Sequence, residues 1–306
     1  MVGEGKTGKE LGGTGGTNLS RAGHMKMERQ YHVGLARGEL ANYVLLCGAA
    51  SRARRVAERF DEVEGEWAER EYLTITGKYA GRRVSVMGTG MGTPNVEIAV
   101  VEMAQIQEPL TLVRVGSCGA LQERIALGDL VVSTGAVRLE STSLYFVDQG
   151  YPSVADYEVV LALVEGCAKV APGRFHVGIT ASASGFYGAQ GRDVPGFPPR
   201  EDVPARMAKQ GVLNFEMESS TLFTLASLRS VGTGAVRAGT VCAVYASRPR
   251  DQFVDHDQKV EAEGRAIDAA LESLKVLWRM DDAKARAGEP WWRPGLGLSG
   301  GPEAGA

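Results

Sequence analysis

An α/β fold is predicted for this chain by three observations. Tyr43–Cys47 is a short apolar run with the length of a strand buried on both faces, and glycine and a helix-like segment follow it. The same order, strand, glycine turn, helix, returns where residues 72–87 lead into Gly88–Pro94 and then Asn95–Gln105. Forty glycines cluster in turns and at both ends, while 44% apolar composition over 306 residues is enough for a full core.

Charge and cysteine usage narrow the classes. A net charge of −3 and a pI near 5.9 leave no basic face for nucleic acid, so any bound anion must be held locally. Cys47, Cys118, Cys167 and Cys242 form no C-x-x-C pair or secreted framework, which points to reduced thiols in the cytoplasm. No apolar run approaches the roughly 18 residues of a membrane span, and no signal-peptide core is visible.

Residues 1–28, rich in Gly, Thr, Lys and Glu, read as a disordered extension. Gly3–Lys9 imitates a phosphate loop, but Glu10 stands where Ser or Thr would bind metal and no strand precedes it. A single domain is expected over residues 29–281, and the Gly- and Pro-rich residues 282–306 read as a flexible tail despite Trp291 and Trp292. His32 by itself reads as a packing or surface residue. After Tyr43–Cys47, Gly48 and a helix over Ser51–Phe60 make an anion cradle, since free N–H groups and the helix dipole point at one spot. Arg52 is either its charge partner or an exposed helical arginine.

Residues 72–87 read as two strands turning at Gly77–Gly81. The following glycines are spaced G-x-G-x-G, not as a dinucleotide fingerprint, and Glu108 precedes the next strand, badly placed for a ribose. In Thr111–Gly119, Arg114 is a charge near the end of an apolar strand. That position favours an anion ligand over a structural ion pair, and Ser117 adds a hydroxyl and an N–H. Residues 125–132 read as a turn into a strand, 153–170 as a helix and His176–Ala181 as a strand. In the loop Ser184–Arg192, Phe186, Gln190 and Arg192 offer an aromatic face, an amide and a guanidinium fork that could read a flat heterocycle; a surface loop with incidental polarity is the alternative.

Asp193–Pro204 reads as a flap. Asn214–Ser220 reads as a helix start with Asn214 as N-cap, the helix running to about Leu228. Glu216 and Glu218 there either complement the dipole or accept hydrogen bonds from paired sugar hydroxyls. A strand over Thr240–Ala246 and an amphipathic helix from about Asp255 to Met280 close the pattern, the latter with Val260, Ile267, Leu271, Leu274 and Leu277 on its apolar stripe.

Four stretches in this order, Gly48–Arg52, Arg114–Gly119, Phe186–Arg192 and Asn214–Ser219, resemble the hexameric type of the nucleoside phosphorylase family, and within it the branch acting on uridine. The resemblance covers about Tyr31 to Arg250. It implies a mixed, twisted, partly barrel-like central sheet flanked by helices, and phosphate as a co-substrate with no other cofactor. Phosphate would meet Gly48, Arg52, Arg114 and Ser117, with Arg70 reaching in from a neighbouring subunit. Ribose would meet Glu216, Met217 and Glu218, with His32 of the neighbour at the 5′-hydroxyl. The base would meet Phe186, Gln190 and Arg192, bordered by Tyr245. The catalytic group would comprise Arg192, Gln190, Glu218 and Arg114, in a homo-oligomer with a dimer as its minimum and a hexamer as the family form.

Several positions depart from the family pattern. Ala49 and Ala50 replace an acid and a proline, and Ser117 replaces threonine. Thr93 and Asn95 replace a glycine and a serine in the turn that, with Glu71, holds an interface monovalent cation in some relatives, so that cation stays open. Tyr245 and Ala246 replace aliphatic residues beside the base. Ser247 is followed by Arg248, not by the Asp that protonates purines in purine-specific relatives, which favours a pyrimidine. The expected reaction is phosphorolysis of uridine. Alternatives are a phosphorylase or nucleosidase for another nucleoside, a non-catalytic nucleoside-binding protein, and, against the glycine spacing, a nicotinamide-dependent oxidoreductase.

Overall fold

A computed structural model describes residues 29–199, 202–231 and 235–298; the expected extension over 1–28 and the last eight residues lie outside the described residues. The first half contains β1 (Tyr43–Cys47), α1 (Ala50–Ala57), β2 (Glu62–Glu69), β3 (Tyr72–Tyr79), β4 (Arg82–Gly88), α2 (Thr93–Ile106), β5 (Leu110–Ala120) and β6 (Leu130–Leu139). The second half contains α3 (Tyr157–Val170), β7 (Phe175–Ala183), α4 (Asp202–Lys209), β8 (Asn214–Glu216), α5 (Ser219–Ser230), β9 (Val236–Ser247), β10 (Gln252–Phe253) and α6 (His256–Ala287).

The strands join in the order β10-β9-β6-β7-β8-β5-β1-β4-β3-β2, and β9 also pairs with β5. That extra pairing closes β5, β9, β6, β7 and β8 into a ring, so the expected mixed, partly barrel-like sheet is present. From β5 the remaining strands spread outward as an open wing ending in β2. β1, β4, β5 and β9 run in one direction, and β6, β7 and β8 run in the other. One apolar cluster packs α1, α3 and α6 on one side of the sheet, and a second packs α2 and α5 on the other.

The register of β5 positions the site. Along Thr111–Arg114 it pairs with β1, but at Gly119 and Ala120 the partner on that side is β8, running antiparallel. Between these contacts, next to the carboxyl end of β1, the sheet changes partner. Such switch points leave a crevice beyond the strand ends where α/β proteins bind ligands.

Two expectations, the helix start at Asn214 and the chain end after Met280, need correction, and one strand escaped the sequence pattern. Asn214–Glu216 is a strand and not a helix start; the helix begins at Ser219, because three residues are needed to bridge β5 and β7 and close the ring. Glu62–Glu69 is a strand that the sequence pattern hid: four glutamates and a bulge between Val63 and Gly65 obscure its alternation. The closing helix runs on past Met280 to Ala287, where Gly288 caps it in a left-handed conformation. Beyond it Trp292 is tied down, its N–H donating to Glu158 and its carbonyl accepting from Tyr157, so this part of the expected tail is docked on α3.

Candidate active site

Arg114 sits in the middle of β5, level with the end of β1, and not in the last turn of its own strand as expected. Its side chain is only 7% exposed. A buried cation needs counter-charge, and two carboxylates supply it: Nη2 donates to Glu218, and Nε lies 3.4 Å from Glu216. Burial weakens the cation, but Glu218 and then Glu216 more than offset that and push its pKa above the ordinary arginine value. The remaining nitrogen, Nη1, is buried and has no hydrogen-bond partner. Arg114 is thus anchored on one edge and keeps unused donors on the other, which suits an arriving oxyanion.

Glycine at 116 makes this placement possible. A Cβ there would lie 1.8 Å from Arg114 Nη1 and 2.7 Å from Cys242 Sγ. Gly116→Ala is therefore expected to displace the guanidinium and lower kcat/KM by roughly tenfold or more while the chain still folds, a loss that steady-state assays and a thermal melt would separate.

The two glutamates have different tasks. Glu216 accepts from the Ser182 hydroxyl and from the N–H groups of Glu218 and Ser219, 2.9 Å away at Oε2. It therefore satisfies free donors at the start of α5, the role expected of Asn214, whose own amide atoms have no partner. Burial, opposed by Arg114 and reinforced by Glu218, raises its pKa above the ordinary carboxyl value. Glu218 accepts from Arg114, from the Met217 N–H at 3.1 Å and from the Gly92 N–H at 2.8 Å. Gly92 precedes α2 at φ 92, so the glycine turn serves to present this N–H to a carboxylate.

At the end of β1, Gly48 leads into α1, whose N-cap residue Ala49 offers no side-chain acceptor to the first turn. Arg52 is buried above this turn, with Nε 2.9 Å from Glu263 and Nη1 3.1 Å from the Val115 carbonyl. Ser117 is half-buried on β5. Arg52 Nη1 thus reaches the residue that directly follows Arg114 on β5.

The loop Ser184–Arg192 leaves the end of β7, where Ser182 lies opposite Glu216. Phe186 is 44% exposed, Gln190 is buried in a short 3₁₀ turn, and the Arg192 guanidinium carbon lies 4.0 Å from the Phe186 ring centre. Arg192 Nε is buried without a partner. Burial lowers the Arg192 pKa, and the neighbouring Arg248 charge adds to this. Arg248 went unnoticed in the sequence: its Nη2 donates to the carbonyls of Gln190 and Gly191, at 2.7 and 3.1 Å, and so clips this loop to the end of β9. An arginine directly after a strand that borders the site is the signal that could have found it.

Tyr245 turns away from its expected place, while His32 and Arg70, expected to serve a neighbouring subunit, stand apart from this chain's Arg114 cluster. The Tyr245 hydroxyl accepts from Arg52 Nη2 at 3.4 Å and donates to Glu263 at 3.0 Å, so it turns toward the end of β1 and not toward a base. His32 pairs its Nδ1 with Glu102 of α2 at 2.6 Å, and Arg70 lies over the Tyr31 ring at 5.2 Å. Neither contacts the Arg114 cluster of its own chain in any hydrogen bond or ion pair between described residues.

A family profile described as the phosphorylase superfamily matches residues 42–275, most of the chain. The protein belongs to this superfamily. It is 42% identical over 272 residues to a uridine phosphorylase of Thermococcus kodakarensis, covering 87% of this chain and 93% of that one. It is also 34% identical over 256 residues to a uridine phosphorylase of Escherichia coli, covering 81% and 97%. Among solved structures, one from a study of two uridine phosphorylases of the oomycete Phytophthora capsici aligns with a TM-score of 0.70 at 25% identity, covering 80% of this chain and 93% of that one.

Proposed function

We propose that this phosphorylase-superfamily enzyme is a pentosyltransferase that cleaves uridine with inorganic phosphate, giving uracil and ribose 1-phosphate. The observation that carries the reading is the Arg114 guanidinium beside the end of β1, fixed by Glu216 and Glu218 yet with its Nη1, next to Gly116, without a hydrogen-bond partner among the described residues. Its relatives named as uridine phosphorylases point to the same chemistry.

Cleavage of a glycosidic bond passes through an oxocarbenium-like state. Phosphate held by Gly48, Arg52, Arg114 and Ser117 attacks the anomeric carbon, so no covalent nucleophile is needed and positioning supplies much of the rate. Glu218, between the Gly92 N–H and Arg114, orients the ribose hydroxyls from beside Met217. As the C–N bond breaks, the electron pair leaves on the base, where Gln190 and Arg192 stabilise the anion. Neither a metal nor an organic cofactor enters this scheme.

His32, Tyr31 and Arg70 stand apart from the Arg114 cluster, which supports their service to a neighbouring subunit's site. The competent unit is then at least a dimer, with a hexamer as the family's form. No described helix is long and apolar enough to cross a membrane, and the four cysteines are unpaired, which fits a cytoplasmic setting.

A panel of nucleosides assayed with and without phosphate tests the reaction. Release of uracil from uridine should require phosphate and be faster than release of any purine. Base release in phosphate-free buffer would make the protein a nucleosidase, and tight uridine binding without turnover would make it a binding protein.

A further inference from the structure

The carboxylate beside Arg52 comes from the far end of the chain. Glu263 lies in α6, more than 200 residues after Arg52, and it is nearly buried at 6% exposure. Its Oε2 accepts from Arg52 Nε at 2.9 Å and from the Tyr245 hydroxyl at 3.0 Å, while Oε1 accepts from Arg55 Nη1 at 2.7 Å. The Tyr245 oxygen lies 3.4 Å from Arg52 Nη2, so tyrosine, glutamate and arginine close a three-membered hydrogen-bonded ring. On the opposite edge Arg52 Nη1 is fixed by the Val115 carbonyl. The guanidinium is therefore held at all three nitrogens, although only three of its five N–H donors are used.

We infer that Glu263 and Tyr245 are positioning residues for the phosphate subsite, a carboxylate–hydroxyl clamp that sets the plane and tilt of Arg52 toward the incoming oxyanion. The inference rests on the reading in which Arg52 holds phosphate. Two features separate it from incidental packing. The loop that leads to Arg52 carries Ala49 and Ala50 where an acid and a proline were expected, so no loop side chain can orient the arginine. Glu263 also lies on the buried face of α6, beside Ala262 and three and four residues before Ala266 and Ile267, where an unpaired charge would be expensive; Val260, expected on that stripe, is exposed. A free arginine side chain loses much rotamer freedom on binding, and fixing it before phosphate arrives removes that cost. The clamp also accounts for Tyr245, whose ring packs against the core beside α6 while its hydroxyl meets Arg52 and Glu263.

The test is steady-state kinetics on the full chain, with phosphate and uridine varied separately. Glu263→Ala is expected to raise the phosphate KM about tenfold, the usual scale for a lost charge-assisted hydrogen bond, with much smaller changes in uridine KM and in kcat. Glu263→Gln, which keeps an acceptor for Arg52 Nε, should raise phosphate KM by less. Tyr245→Phe should raise phosphate KM a few-fold and leave uridine KM unmoved. If Glu263→Ala does not fold, Glu263→Gln and Tyr245→Phe carry the comparison. Arg52→Ala is the reference. An elevated phosphate KM in Arg52→Ala together with wild-type phosphate KM in the Glu263 and Tyr245 variants overturns the clamp but keeps Arg52 as a ligand. An unaltered phosphate KM in Arg52→Ala removes the reading on which the clamp depends. A Tyr245→Phe effect on uridine KM alone returns the tyrosine to the base and also overturns the clamp.

Discussion

Arg192→Ala is expected to lower turnover by about two orders of magnitude or more at saturating uridine and phosphate, because a preorganised donor aimed at developing charge is typically worth roughly 2.7–4 kcal/mol. The structure gives reasons beyond residue type. Arg192 lies against Phe186 at 4.0 Å and also over the Phe253 ring at 5.5 Å, so its plane is set by two aromatic faces. Its Nε is buried and has no partner, leaving the fork for a ligand. Burial and the adjacent Arg248 charge both make its cationic form less comfortable, and a departing uracil anion would relieve that. The loss should appear in kcat, with the melting temperature little changed, since no ion pair with a described residue is broken. Turnover like that of the wild type would remove Arg192 from the reaction.

The largest expected effect on stability lies at the other end of the strands. Arg237→Ala should cost about 3–5 kcal/mol, the usual penalty for removing one partner of a buried ion pair. At the start of β9, Arg237 donates to Asp281 at 2.8 Å, to Glu158 and to the Thr111 hydroxyl, while Lys284 contacts Glu158 at 2.6 Å and Asp281 at 2.9 Å. The network pins α3, β9 and α6 together. Glu158 is only 2% exposed, and without Arg237 it and Asp281 keep Lys284 as their one shared cation among the described residues. A melting temperature lower by on the order of 10 °C is expected, with kcat for the folded variant unchanged.

This contribution has a defined pH dependence. Burial raises the Asp281 and Glu158 pKa values, but for Asp281 the bonds and charge of Arg237, and for Glu158 Lys284, the Trp292 N–H and Arg237, outweigh it and leave both below their ordinary values. A carboxyl depressed in the folded state stabilises fully above its unfolded pKa and loses that contribution as pH falls through the folded value. The stability gap between wild type and Arg237→Ala should therefore be full at neutral pH and narrow in acid. Thermal melts from pH 7 downward would show it, and a gap that widens in acid would contradict the assignment.

Local pattern carried the α/β class, the strand at Tyr43–Cys47 and the order of the four motifs, because each depends on neighbours in sequence. It failed where long-range pairing decided the outcome. Asn214–Glu216 has the composition of a helix start, yet β5 and β7 draw it into a strand and the cap falls to Glu216. Arg114 and Glu218 are 104 positions apart, so their contact could be reached only through family resemblance and not through spacing. The strand at Glu62–Glu69 was hidden because its side chains are largely exposed and its charges mask the period of two. Glu263 was legible in principle, as an acid on an apolar stripe, but its partner lies too far away in the chain for any local rule to name it.

The ring formed by β5, β9, β6, β7 and β8 leaves no unpaired margin of its own; one open border of the sheet runs along β2. Glu62, Glu64, Glu66 and Glu69 line that border, and the bulge near Gly65 bends it. Three of them are already paired within the chain, Glu62 with Lys78, Glu64 with Arg83 and Glu66 with Arg54, so a second molecule seeking to extend the sheet there meets a charged, curved rim. The charges that concealed this strand in the sequence thus also discourage another sheet from adding to its edge.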